Sequence, residues 1–302
     1  MFRQSLWSVA SAACFSIMAA FVKFVSDQYG PVELIFYRSL FGVLFILFLL
    51  RKSEVSLKTT RIWDHIVRSS LGILSIALWF YALPRMDFGA CMTLTYTTPI
   101  FLAAWFIGAA LLSHEPAPWK VSGAILAGFA GIVAVVQPSF AADEAFPAMV
   151  CILLSIIDMA VYGQMKKLGN LGEPSIRIVF YFTVIGTISG LIGTYLFEGG
   201  LHFPTMKNAL GLLGIGLMAT LGQIAVTKAF AQGNVLLSSC LGFMAIPFSA
   251  VIGFVLFADR FSAAALIGMV LITVSGLAAT IFTKGEEQQR KARTAAQKEV
   301  SA

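Results

Sequence analysis

Residues 30–50 read GPVELIFYRSLFGVLFILFLL, and the charged pair Arg51-Lys52 follows at once. After the Gly30-Pro31 punctuation, the chain from 32 to 50 is apolar except for a few positions, with Glu33 and Arg38 its charged residues. An α-helix needs about 20 mostly apolar residues to cross the hydrocarbon of a bilayer. Working outward from this stretch, ten such runs appear, at roughly 5–26, 32–50, 66–84, 88–112, 119–137, 147–166, 175–197, 208–230, 234–257 and 261–282. Short connections separate them, and many carry Gly, Pro or charge: Tyr29-Gly30-Pro31, Pro84-Arg85-Met86-Asp87, His114-Glu115-Pro116 and residues 169–174. The runs are too long, too rich in Gly and Ala, and too poor in polar alternation to be barrel strands. The reading is an all-α integral membrane protein with ten transmembrane helices.

Composition agrees. The 302 residues are 58% hydrophobic and 12% charged, with mean hydropathy +0.86. A soluble domain carries about 25% charge; half that density cannot cover a water-facing surface. A soluble enzyme, a disordered chain and a nucleic-acid-binding domain are excluded, and the net charge of +6 implies no nucleic-acid partner. Arg3, an apolar stretch and Ser11-Ala12-Ala13 superficially resemble a signal peptide, but the apolar run continues to Val25. Cys14, Cys91, Cys151 and Cys240 lie in apolar stretches without CxxC spacing and read as packing residues. His65, His114 and His202 fall in different loops, so no metal site is expected. Gly214-x-Gly216 lies mid-membrane with no strand before it, and no P-loop pattern is present, so no cofactor is expected.

Cationic residues set the orientation. With a cytoplasmic N-terminus, sixteen Lys and Arg, Arg68 among them, fall on the cytoplasmic side and three (Arg85, Lys207, Arg260) on the outer side, with Lys23 and Arg38 inside spans. The positive-inside rule then puts both termini in the cytoplasm. Residues 284–302 read as a polar cytoplasmic tail near anionic headgroups.

The two halves resemble each other. Gly30-Pro31 answers Glu173-Pro174, and Lys23 answers Lys166, at an offset of 143. Asp87 answers Asn234 at 147, Pro99 answers Pro247, and Gly123 answers Gly268. Five spans per unit is an odd number, so the second copy enters from the opposite face. The expected domains are 5–137 and 147–282, two inverted five-helix repeats that rock about a central site.

With these residues in view, the chain resembles EamA-domain proteins of the drug/metabolite transporter superfamily. The resemblance rests on Gly30-Pro31-x-Glu33-x-x-x-Tyr37-Arg38, on Thr97-Thr98-Pro99-Ile100, on Glu115 and Asp259-Arg260-Phe261 before spans five and ten, and on the Gly-rich span closing each unit. It implies a secondary transporter of the inner membrane, for amino-acid-like, nucleoside- or cofactor-like, or drug-like metabolites. The second unit departs by carrying Tyr181 where the first has Arg38.

The site candidates follow from depth. Asp158 lies about 11 residues, roughly 16 Å, into span six, near the middle of a ~30 Å core. A carboxylate there must be paired, solvated or protonated. It reads as a proton-coupling or cation-binding group, or as a structural carboxylate, with Tyr162 on its helix face. Arg38 lies about 9 Å into span two and suits a carboxylate or phosphate, or a structural ion pair. Lys23 snorkels or gates, and Glu33 is a binding or coupling candidate, any pairing of which has to cross to span one or elsewhere. Tyr96 and Gln223 read as cavity contacts, and Trp79 as a belt anchor or cavity cap. Pro99 and Pro247 are matched helix kinks. The Gly186-x-x-x-Gly190 pair and Gly123, Gly128 and Gly131 suit close helix packing. Partners are a small-molecule substrate, the lipid bilayer and a proton, with the chain a monomer or homodimer. The competing readings are a non-catalytic subunit of a larger membrane complex and, further off, a membrane-embedded enzyme.

Overall fold

The structure is a computed structural model that describes residues 2–25, 27–51, 55–82, 85, 91, 94–114, 117–136, 145–257 and 262–300, without the side chains of Lys23, Phe80, Val136, Met206, Lys207, Phe257, Lys284 and 286–300. Among the described residues there are helices and no strands. In chain order they are α1 (Phe2–Ser5), α2 (Trp7–Val25), α3 (Pro31–Leu50), α4 (Ile62–Ala82), α5 (Thr98–Leu112), α6 (Trp119–Val136), α7 (Ala145–Asn170), α8 (Ser175–Phe197), α9 (Met206–Gln232), α10 (Val235–Gly242), α11 (Ala245–Phe257) and α12 (Ala263–Val300).

Among the described residues, seven helical stretches are long and apolar enough to cross a membrane, and α5 and α6 are shorter apolar helices. The bundle buries a set of polar side chains within its apolar core and is apolar outside. Ser8, Ser11, Ser16, Ser39, Ser75 and Ser238 are buried, while Leu44, Phe48, Ile192, Phe254, Val270 and Leu277 face outward. An apolar belt of that extent suits lipid rather than water. Trp63, Trp105 and Trp119 are exposed, and exposed tryptophans near span ends suit the membrane interface.

The most extensive helix contacts join α6 to α12, α2 to α9, α3 to α8 and α4 to α7. Glycines set several of these approaches. A Cβ on Gly131 would meet the Gly268 carbonyl at 2.8 Å, and one on Gly268 would meet the Gly131 carbonyl at 2.6 Å. Gly186 and Gly190 bring α8 against Ser39 and the Phe36 backbone of α3. Gly128 packs likewise on Phe243, whereas Gly123 faces open space and makes no such approach.

Helix α3 begins where Gly30, in extended conformation, is followed by Pro31 at the first helical position. Its free N–H groups are met from across the molecule: Val32 and Glu33 donate to the Glu198 carboxylate at 2.9 and 2.8 Å. Gly30 leaves the room this cap needs, since a Cβ there would sit 2.3 Å from the Glu198 carboxyl carbon.

The expected ninth run is two helices rather than one kinked helix. It breaks at Phe243-Met244, ahead of Pro247, between α10 and α11. In the fourth run a turn at Tyr96-Thr97 precedes α5 in the same way, ahead of Pro99. A proline cannot donate to the carbonyl four residues back, so that carbonyl needs another partner. For Pro99 the carbonyl is Thr95, and the Ser155 hydroxyl of α7 lies 3.1 Å from it. On the other break, Ser16 of α2 donates to the Ala245 carbonyl at 3.0 Å and accepts from Ser249 at 3.1 Å.

Candidate functional site

A cavity of about 280 Å3 opens between the halves, near the low end of the 300–1,000 Å3 common for small-molecule sites. Seven of the ten side chains singled out in the sequence line it: Arg38, Trp79, Tyr96, Pro99, Asp158, Tyr162 and Gln223. Helices α3, α4, α7 and α9 supply most of them, and the broken fourth run supplies Tyr96 and Pro99.

Asp158 projects from α7, and its Oδ1 accepts a hydrogen bond from Ser75 of α4 at 2.5 Å. One turn further on, Tyr162 stacks face to face on Phe230 of α9, with ring centroids 3.9 Å apart and planes inclined by 10°. Tyr96 meets Phe243 edge-on at 6.3 Å. Gln223 is buried, and it separates the cavity from a small cleft that reaches Arg38 and Thr183. The walls are therefore largely aromatic and serine-lined, with charge confined to a few points.

Arg68 is the residue the sequence reading misplaced. Counted there among the cytoplasmic cations, it lies instead in the cavity wall, 1% exposed. Its guanidinium sits over the Phe182 ring at 4.2 Å and passes Gly72, where a Cβ would come within 3.2 Å of Nη1. The signal was present: Arg68 and Ser75 are seven apart, two helical turns, so they share a face. Without Arg68 the cationic bias is fifteen against three, which leaves the orientation argument intact.

Two other candidates sit elsewhere, and the side chain of a third, Lys23, is outside the described ones. Pro247 is in α11, outside the cavity lining. Lys23 itself is on α2. Thr93, Glu115 and 259–261 also lie outside the described residues. Glu33 is fully buried and binds the loop between α8 and α9. It accepts from the His202 backbone N–H at 2.5 Å, and His202 Nδ1 lies 2.9 Å from its other oxygen. Tyr37 donates to the His202 carbonyl at 2.5 Å. The sequence reading foresaw that any pairing of Glu33 must cross to another segment, but nothing in it pointed to a histidine 169 positions away.

A second cluster ties α8 to the loop between α3 and α4. Glu173 accepts from Thr59 at 2.7 Å and from Arg177 at 2.8 Å, and His65 Nε2 lies 3.2 Å from the same carboxylate. His65 is buried at the start of α4 rather than lying in an open loop. Arg177 also donates to the Ser56 carbonyl at 2.8 Å, and Tyr181 donates to Leu57 at 3.1 Å. Partial burial alone would push the Glu173 carboxyl up. The donors Thr59, Arg177 and His65 outweigh it and hold its pKa below 4.5. A carboxylate with a lowered folded pKa contributes stability that is complete above its unfolded value. That contribution is lost as pH falls through the folded value. Acid unfolding of Glu173→Gln should therefore be less steep below about pH 4.5 than that of the parent. Identical acid limbs, followed by tryptophan fluorescence, would contradict this.

Residues 3–137 match the family described as the EamA-like transporter family. The match covers the first half of the chain. Similarity to transporters extends across both halves of the chain. It is 27% identical to the pseudopaline exporter CntI of Pseudomonas aeruginosa over 281 residues, 93% of this chain and 96% of that protein. It is 26% identical to a riboflavin transporter of Vibrio cholerae, covering 84% of each. It is 23% identical to an S-adenosylmethionine uptake transporter of Rickettsia bellii, over 92% of this chain and 90% of that one. A solved crystal structure superposes with TM-score 0.79 over 92% of this chain and 98% of its own, at 17% identity, so the fold is shared. The chain is a multi-pass membrane transporter and not an enzyme.

Proposed function

We propose that this chain is a secondary transporter of the inner membrane that carries a small polar or amphipathic metabolite by alternating access. Its cargo binds in the cavity bounded by Arg38, Arg68, Asp158, Tyr96, Tyr162 and Gln223. The observation that carries this reading is that charged and aromatic side chains from both halves converge on one cavity beside two interrupted helices. Discontinuous helices at the repeat interface are where such transporters bind their substrates.

The proposed architecture is ten spans in two inverted repeats, 5–137 and 147–282, with both termini and the 284–302 tail cytoplasmic. Helix packing supports it. Under exchange of the halves, α2 corresponds to α7, α4 to α9, and α3 to α8. The contact of α2 with α9 then becomes that of α7 with α4, and both are extensive. The α3–α8 and α6–α12 contacts map onto themselves, as contacts on a two-fold axis do. The two polar clusters obey the same exchange. The start of α3 is held by the loop after α8, and the start of α8 by the loop after α3. In the proposed orientation, Glu33–His202 is the outer latch, and Glu173–Thr59 with Arg177–Ser56 is the inner one. Opening one while the other stays closed would expose the cavity to one side at a time.

Asp158 is the proposed proton-coupling group. Proteoliposomes loaded with riboflavin or S-adenosylmethionine, the cargoes of two relatives, provide the assay. Asp158→Asn should lower pH-gradient-driven flux by about ten- to hundredfold, the scale of one lost charge-assisted hydrogen bond. Flux at the parent rate with the parent pH dependence would exclude a coupling role.

A further inference from the structure

The charges in the cavity do not balance. Arg68 is 1% exposed, yet its Nε and Nη1 have no hydrogen-bond partner among the described residues. Arg38 is 6% exposed, and no carboxylate among the described residues lies within 4.0 Å of either guanidinium. Among the described residues, the acidic group facing the same space is Asp158, already bonded to Ser75 at 2.5 Å. Two buried cations therefore face one carboxylate among the described lining residues. A guanidinium buried without a partner is costly, and the cost is recovered when a ligand supplies the missing acceptors. Arginine presents its donors as a planar fork that matches an oxyanion in two-point fashion.

Resting on the transport reading above, we propose that the cargo is an amphipathic amino diacid with a net negative charge. Two oxyanion groups, carboxylates or phosphates, meet Arg38 and Arg68. An amine meets Asp158. The Tyr162–Phe230 stack and Trp79 receive an apolar or planar portion. Arg38 and Arg68 stand on different helices, α3 and α4, while Asp158 stands on α7, so the cargo bridges three helices across both halves. A simple cation or a monocarboxylate leaves a guanidinium unmatched, and a diacid without the amine leaves Asp158 facing oxyanions.

The test is titration calorimetry on the full chain in detergent with four matched probes. N-benzyl-L-glutamate carries the amine, both carboxylates and an aromatic body. N-benzyl-L-glutamine lacks one carboxylate, 2-benzylglutaric acid lacks the amine, and N-benzyl-O-phospho-L-serine exchanges a carboxylate for a phosphate. The parent should bind the first about ten- to hundredfold more tightly than the second or third. Arg38→Gln and Arg68→Gln should each erase the diacid preference, and Asp158→Asn the amine preference. Arg68→Lys, which keeps the charge and loses the fork, should fall between. It also decides the matter if Arg68→Gln does not fold. The phosphoserine probe tells which oxyanion the site takes. Equal affinity for diacid and monoacid, preferences that survive in the variants, or no binding of the diacid at millimolar concentration would overturn the proposal. Proteoliposomes that move riboflavin while the chain ignores the diacid would leave the transport reading standing. A chain that binds the diacid but moves none of these compounds would end the transport reading instead.

Discussion

Arg68→Leu should leave the bundle at least as stable as the parent while abolishing saturable transport. Most core substitutions cost stability, so the expectation needs its sign argued. Arg68 is buried, two of its nitrogens are unpartnered, and no carboxylate among the described residues pairs with it. Replacing buried ionic groups by apolar residues of similar volume is often neutral or stabilising, by about 1–4 kcal/mol. Against this stands the lost contact with the Phe182 ring at 4.2 Å, worth about 0.5–2 kcal/mol where water is excluded. The balance is close to zero or favourable. Function should go the other way, because the leucine offers cargo neither charge nor donors. Stability bought at the expense of a binding group is the usual trade at a functional site. The measurement is a pair: melting temperature in detergent and flux in liposomes. A marked fall in melting temperature would mean that Arg68 holds the bundle together, and the binding role would lose its main support.

How much of this site was legible beforehand differs residue by residue. Asp158, Tyr162, Tyr96 and Gln223 could be found because a polar side chain deep in an apolar run is conspicuous, and each proved to face the same cavity. Arg68 escaped because it stands near the start of its run, where a cation ordinarily reaches headgroups. Only its two-turn spacing from Ser75 distinguished it. The prolines announced an interruption in each half, but Pro247 does not mark the break itself: the chain turns at Phe243-Met244. The reason is mechanical, since a proline disturbs the turn before it. The latches were beyond reach. Glu33 with His202, and Glu173 with Thr59, join residues 169 and 114 positions apart, and such pairings depend on how helices are arranged rather than on local pattern. Helices were thus readable from the length and apolar content of the runs, whereas their mutual register was not.

Gly169→Ala should be among the most damaging single-methyl changes in the molecule. In the sequence Gly169 looks like part of a turn, the first of several residues leading to Pro174. In the structure α7 continues to Asn170, and Gly169 is where its last turn crosses α9. A Cβ there would lie 2.1 Å from the Ala231 carbonyl oxygen and 2.6 Å from its carbon. Both are backbone atoms, so no rotamer change relieves the overlap. The crossing is tied down on either side. Lys166 donates to the Gly233 carbonyl at 2.8 Å, and Leu168 packs with Ile178 and Ala231 in a small buried cluster. Moving α9 away would loosen these contacts together. Overpacking of this kind costs about 1–3 kcal/mol and sometimes more. Gly163→Ala supplies the control, on the same helix. Nothing lies within 4 Å of a Cβ at Gly163, and alanine is the better helix former by about 1 kcal/mol. The first variant should melt several degrees below the parent and the second at or above it. Equal melting temperatures for the two would mean that α7 and α9 do not cross at Gly169, and the pairing of α4 and α9 as counterparts across the halves would need revision with it.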